Sequence, residues 1–362
     1  MSFSKCHCPN PITTTTTMKY KLLGRSGLRV SEICLGTMTM GEEWGYGADA
    51  AESYRQYKTF VDAGGNFIDT ANRYTEGTSE RLLGSFMKDM RQQIVMATKY
   101  SLRTALGGVN DGGNHRKNMV ESLESSLRRL DTDYVDVFYL HAWDFTTPVD
   151  EVMRGLDDLV RSGKVLYVAI SDTPAWIVSR ANTMAELRGW SRFIGCQVEY
   201  SLIQRTPERD LLPMADALEL GVTAWAPLAG GALTGKYLNA GANDDLGRTK
   251  AVSIRRNERS TAIAQKAADI AKEKGCTPTQ VALSWVRQQG SCTIPIVGAR
   301  TADQLKDSLG CVDVVLSTEE LAALNAVSAI ELGFPHDFLA TENVRNLTTG
   351  NQYHNLIQRK RD

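Results

Sequence analysis

Charge of one sign, long apolar runs and paired cysteines are all scarce in this 362-residue chain. The 41 Lys and Arg nearly cancel the 42 Asp and Glu, leaving a formal net charge of -1 with no long block of like charge. That balance lacks the electrostatic footprint of a nucleic-acid or anionic-membrane binder, so small-molecule partners are expected instead. No stretch approaches the run of about 18 apolar residues that spans a bilayer, and the N-terminus has no apolar signal core, so a cytoplasmic protein is expected. The seven cysteines (Cys6, Cys8, Cys34, Cys196, Cys276, Cys292, Cys311) are odd in number, scattered and without a C-x-x-C pair. They suggest neither a disulfide framework nor a zinc site. His7, His115, His141, His336 and His354 form no H-E-x-x-H or similar pairing with carboxylates, so no metal is expected.

What the chain does have is alternation. Eight short runs rich in β-branched and aromatic residues recur along it: SEICLGTM, NFIDTA, QIVMATK, YVDVFYLH, VLYVAISD, IGCQVEYS, VTAWAPL and CTIPIVG. Between them lie segments of helical period, such as RKNMVESLESSLRRL and STAIAQKAADIAKEKG, several closing on Gly. Parallel strands need helical crossovers and are buried on both faces, so this pattern predicts a parallel sheet covered by helices. Eight units suit a single-domain (β/α)8 TIM barrel over residues 18–330. The first strand-to-helix turn, GTMTMGEEWGYG, has no G-x-G-x-x-G, which argues against an open dinucleotide-binding sheet. Residues 1–17, with KCHCPNPITTTTT, cannot build a core and read as a disordered N-terminal extension. The Gly-rich stretch 229–256 reads as a functional loop, and the tail 331–362 as a segment able to fold over the barrel mouth or to pack outside it.

In NFIDTANRYTEGTSE an apolar strand stops on Asp69, with Tyr74 five residues on. Asp in that place is most often a turn or cap residue. Lys99, in VMATKY, would by itself be a solvated strand-end lysine, and His141, in VFYLHAWD, a satisfied core histidine. In a barrel, however, all these strand ends meet at one rim, and the set then suits proton transfer from a phenol to a carbonyl oxygen. A free phenol has a pKa of about 10, and an adjacent ammonium lowers it. Lys99 would supply that charge, Asp69 would be its counter-ion, and His141 would donate to the substrate carbonyl.

Asp69, Tyr74, Lys99 and His141, in FIDTANRYTEGTSE, ATKY and YLHAWD, resemble the catalytic tetrad of the aldo-keto reductase superfamily of (β/α)8 barrels. NDGGNHRKN, AISDTPAW, CQVEYSLIQR and PIVGAR are most similar to the aryl-alcohol dehydrogenase-like branch and, further off, to potassium-channel β-subunits. The resemblance, covering about 19 to 328, implies NADP(H) as cofactor, an aldehyde or ketone as substrate and Tyr74 as the general acid. It also implies that Ser171 and Gln197 hold the nicotinamide carboxamide, with Asp172 where many relatives have Asn. Trp225 would stack on the nicotinamide ring, and Gly36, Thr37, Met38, Ala226, Pro227, Leu228, Gly230 and Lys236 would make further cofactor contacts. Gly298, Arg300, Gln304 and Ser308 would lie at the adenosine end, Ser308 again in place of Asn. Arg300 favours NADPH, because a guanidinium forks onto a 2'-phosphate. Trp44, Tyr46, Trp143 and the tail 332–362 are the candidates to line a pocket for an aromatic or apolar carbonyl.

Three rival readings stand beside this one, the last in rank a barrel lyase or aldolase with Lys99 as Schiff base, which has no use for Tyr74 or GARTADQ. GGALTGKY nearly spells a nucleoside-triphosphate loop, but Tyr237 stands where a Ser or Thr hydroxyl must reach Mg²⁺. The resemblance to channel β-subunits also allows an NADPH-binding regulatory subunit with little turnover.

Overall fold

The computed structural model describes residues 18–104, 107–238, 257–290 and 292–356. The expected N-terminal extension, residues 1–17, and residues 239–256 of the Gly-rich loop lie outside the described residues.

The chain enters through a two-stranded antiparallel hairpin, β1 (Tyr20–Leu22) and β2 (Arg29–Ser31), which the alternation did not announce. The eight apolar runs then supply β3 (Cys34–Gly36), β4 (Phe67–Asp69), β5 (Val95–Tyr100), β6 (Val135–Leu140), β7 (Val165–Ser171), β8 (Phe193–Glu199), β9 (Gly221–Trp225) and β10 (Thr293–Val297). Neighbours pair in parallel, and β10 pairs with both β9 and β3, closing the sheet into an eight-stranded barrel. The fold is therefore the expected TIM barrel.

Helices α1 (Ala50–Asp62), α2 (Thr78–Phe86), α3 (Arg116–Leu130), α4 (Val149–Arg161), α5 (Ala175–Arg188), α6 (Leu211–Ala217), α7 (Glu258–Lys274), α8 (Pro278–Arg287), α9 (Ala302–Leu309) and α10 (Thr318–Val327) flank the strands. Their faces follow the sequence period: in α4, Val149, Val152, Met153 and Leu156 are buried, the i, i+3, i+4, i+7 stripe of an amphipathic helix. Their ends are chemically marked. Asn257 and Ser260 form a capping box at the start of α7, and Gly275, at φ 67°, closes it in the left-handed conformation. No helix among the described residues is long and apolar enough to cross a membrane.

The strand period of two decides what faces the barrel interior. Phe67, Val95, Ala97, Val137, Tyr139, Ala169, Ile294 and Ile296 form an inner cluster, whereas Ile68, Met96, Phe138 and Ile170 join the larger cluster beneath the helices. Continuing the inward parity to the strand ends delivers Asp69, Lys99, His141, Ser171 and Gly298 to one rim. Leu23 and Val30, from the hairpin, belong to the same inner cluster and seal the opposite end. The described part of the tail forms two short α-helices, α11 (His336–Leu339) and α12 (Glu342–Thr348), and a 3-10 turn at Tyr353–Asn355, with no buried residue in any of them.

Candidate active site

Lys99 is the centre of the rim. It is fully buried, and its Nζ lies 2.6 Å from Asp69 Oδ2, 2.9 Å from the Thr70 carbonyl and 3.1 Å from Tyr74 Oη. Three acceptors for three ammonium protons is a complete set, which is what a cation needs to remain charged away from water. Asp69 is itself held on both sides: Gln197 Nε2 donates to Oδ1 at 2.9 Å, and the Thr37 amide and hydroxyl donate to the Asp69 carbonyl. Asp69 is thus an ion-pair partner and not a helix cap; α2 begins instead after Gly77, with no side-chain cap. The His141 ring stands edge-on to the Tyr74 ring, centroids 5.9 Å apart. The residue pattern therefore brings all four together.

Their protonation follows from burial and neighbours. Desolvation works against the Lys99 ammonium, but Asp69 and Tyr74 together outweigh it, and its pKa is raised. The Tyr74 phenol corrects the simple expectation that Lys99 lowers it: desolvation dominates, Lys99 only partly offsets it, and the net pKa is raised. Tyr74 is consequently a fully protonated donor at neutral pH. For His141, burial and then the Lys99 charge depress the pKa to about 3, so the imidazole is neutral.

Tyr74 leaves β4 on an unusual arm. Thr75 (φ 46°), Glu76 (φ 56°) and Gly77 (φ 84°) are successive left-handed residues, unfavourable for the first two. Thr75 Oγ1 donates to the Met40 carbonyl at 2.6 Å, and the Glu76 carboxylate takes bonds from Arg73 and from Trp44 Nε1. Trp44 is thereby set edge-on to Tyr74, at 6.4 Å between centroids, with Tyr46 6.2 Å from it. Trp143, half-buried, lies two residues beyond His141, and its amide meets the Asp172 carbonyl. All three candidate pocket aromatics are thus tied to chain that carries Tyr74, His141 or the neighbouring strand ends.

The remaining expected residues divide. Ser171 is buried and its hydroxyl has no partner, as is true of His141 Nδ1. Buried polar atoms are normally satisfied, so two orphans on one rim fit a polar ligand such as a carboxamide beside a carbonyl. Trp225 is half-exposed, its indole fixed by a 3.0 Å bond to Asp172 Oδ1. The Asp172 carboxylate is therefore engaged with Trp225, a use that the expectation of a carboxamide partner did not include. Gln197 likewise spends its amide on Asp69, a link that residue type alone could not reveal. Past Trp225 and the buried Pro227, the backbone is left-handed at Ala226, Ala229, Gly230 and Gly231, and half-buried Leu228 packs on the core. An ideal Cβ on Gly231 would come within 3.4 Å of Lys236 Nζ, so a cation overhangs this side-chain-poor turn.

Across the barrel, Gly36 leaves no room for a side chain, since its Cβ would meet Ile296 at 2.7 Å; Thr37 is buried and Met38 exposed. Gly298 and Arg300 are exposed, and the Arg300 guanidinium has no ion-pair partner among the described residues. Gln304 Oε1 accepts from the Arg300 amide. The Ser308 hydroxyl turns back onto the Gln304 carbonyl at 2.9 Å, buried within its own helix. Nearby, the Glu52 carboxylate accepts from the Ala302 amide and pairs with Arg55. Among the described residues no three His, Cys, Asp or Glu gather as a metal site.

The model of the Aldo/keto reductase family matches residues 32–329. The chain is 37% identical to a norsolorinic acid reductase of Aspergillus flavus, over 88% of this chain and 83% of that one. It is 38% identical to an aryl-alcohol dehydrogenase [NADP(+)] of Phanerodontia chrysosporium, over 86% of each chain. To an aldo-keto reductase of Aspergillus calidoustus it is 33% identical, over 92% of this chain and 88% of the other.

Proposed function

Since this chain belongs to the aldo/keto reductase family, as an oxidoreductase of the aryl-alcohol dehydrogenase-like branch, we propose that it reversibly reduces an aromatic or apolar aldehyde or ketone with NADPH. The observation that carries this reading is the 3.1 Å bond from the buried, Asp69-paired Lys99 ammonium to Tyr74 Oη, beside a neutral His141.

When bound, NADPH supplies the hydride. Ser171 would meet its carboxamide and Trp225 its ring, while Lys236 and the left-handed turn after β9 would face its phosphates and Arg300 the 2'-phosphate. The chain's own chemistry is the proton. His141, neutral, donates a hydrogen bond to the substrate carbonyl oxygen and fixes its direction. Tyr74 Oη passes its proton to that oxygen as negative charge develops there, and the phenolate left behind is stabilised by Lys99. Asp69, steadied by Gln197, keeps Lys99 charged and aimed. Trp44, Tyr46 and Trp143 exclude water and offer apolar faces to an aryl substrate. The two named relatives, a norsolorinic acid reductase and an aryl-alcohol dehydrogenase, support a substrate of this class.

The test uses purified protein, NADPH and 4-nitrobenzaldehyde, followed at the nicotinamide absorbance. Tyr74→Phe is expected to lower kcat by a factor of about 10² to 10⁴ with NADPH binding unchanged. Undiminished turnover in the variant would reject Tyr74 as the acid. Tight NADPH binding by the wild type with no turnover across an aldehyde panel would favour the regulatory-subunit reading instead.

A further inference from the structure

We propose that the buried Glu80–Arg129 ion pair is a positioning device that sets the contact between Tyr74 and Lys99; this rests on the reading of Tyr74 as proton donor. The two groups are carried by different pieces of chain, Lys99 by β5 and Tyr74 by the left-handed arm of Thr75, Glu76 and Gly77. An arm in an unfavourable conformation persists only when its surroundings hold it.

Arg129, from α3, lies against that arm. A Cβ on Gly77 would come within 2.8 Å of Arg129 Cδ and 2.9 Å of its Nε, so the arm rests on the guanidinium stem. Arg129 Nε in turn donates to Glu80 Oε2 at 2.6 Å, and Thr98 Oγ1 donates to the other oxygen, Glu80 Oε1, at 2.6 Å. Thr98 directly precedes Lys99; strand alternation turns Thr98 outward to Glu80 as it turns Lys99 inward to Tyr74. One fully buried carboxylate therefore joins the support of the Tyr74 arm to the strand that bears Lys99, from outside the barrel wall.

Stability alone is a poor reason for such a pair, because well-packed apolar residues often replace a buried ion pair at no loss. What the pair provides is short, directional bonds to two elements at once. The Tyr74–Lys99 bond, at 3.1 Å, is near the long end of the usual range, so a small relative displacement of arm and strand would break it. Among the described residues no hydrogen bond or ion pair joins Glu80 to Asp69, Tyr74, Lys99 or His141, which makes it a positioning residue and not a catalytic one.

The experiment compares wild type with Glu80→Gln and Arg129→Lys, reading kcat, KM, NADPH affinity and thermal midpoint. Ionisation of Tyr74 is read by tyrosinate difference absorbance in cofactor-free protein, with Tyr74→Phe as blank. The inference predicts a fall in kcat of about 10- to 100-fold, as misplacement by about an ångström produces. KM and NADPH affinity stay within about twofold, and Tyr74 ionises at higher pH as Lys99 withdraws. Arg129→Lys moves each readout the same way. A variant with a lowered thermal midpoint but unchanged kcat and Tyr74 ionisation would overturn the inference and leave the pair a mere fastener. Should both variants fail to fold, Thr98→Val severs only the link to β5 and is expected to shift kcat and Tyr74 ionisation in the same direction, while no shift in either overturns the proposal. If the wild type itself reduces no aldehyde, the carbonyl-reduction reading fails, and the Tyr74 ionisation data still decide this one.

Discussion

At the scale of single residues, His141 shows how burial selects a chemical role. Its pKa is lowered by desolvation, then by Lys99, to about 3, whereas an unfolded histidine protonates near 6.5. Between those values the unfolded chain binds more protons than the folded one, so stability falls as pH drops from about 6.5 towards about 3. The slope reaches up to about 1.4 kcal/mol per pH unit. Urea unfolding between neutral pH and the acid end of that window checks this: His141→Asn should lose stability less steeply than wild type, and parallel curves would contradict it. The residue types at this site were legible because Asp69, Lys99 and His141 fell at strand ends of one inward parity, with the Tyr74 phenol five residues past the first of them. The balance of forces on them was not. That desolvation outweighs Lys99 at Tyr74, that Gln197 braces Asp69, and that Ser308 folds back on its own helix all depend on distances which spacing in the sequence does not contain.

Between elements, α2 and α3 cross closely at Gly84. A Cβ there would lie 2.7 Å from the Arg129 carbonyl oxygen and 2.8 Å from Leu130 C, both backbone atoms that cannot swing aside. Gly84→Ala gains about 1 kcal/mol of helix propensity. Forcing the helices apart is nevertheless expected to dominate, since overpacking costs about 1–3 kcal/mol. A lowered urea midpoint with unchanged slope would bear this out, and a raised one would show that α2 can retreat freely. All eight barrel strands were readable from their apolar runs, whereas the β1–β2 hairpin was not. Its strands are three residues each, β1 with two of three exposed, too short for a period of two to show against noise. The left-handed run at Thr75 and Glu76 was equally invisible, because nothing in those residue types asks for it.

For the molecule as a whole, the hairpin matters more than its size suggests. Leu23 is fully buried in the inner cluster, and Gly24, at φ 55°, follows so closely on the barrel that a Cβ would lie 2.1 Å from the Ile194 carbonyl oxygen. Leu23→Ala should cost about 2–5 kcal/mol, the range for emptying a core leucine site, in equilibrium unfolding. A loss below about 0.5 kcal/mol, typical of surface changes, would mean that the floor is not part of the core. With that end stoppered, the apolar column that closes the bottom of the barrel is also the floor on which the buried Lys99–Asp69 pair rests, so fold and site share one foundation.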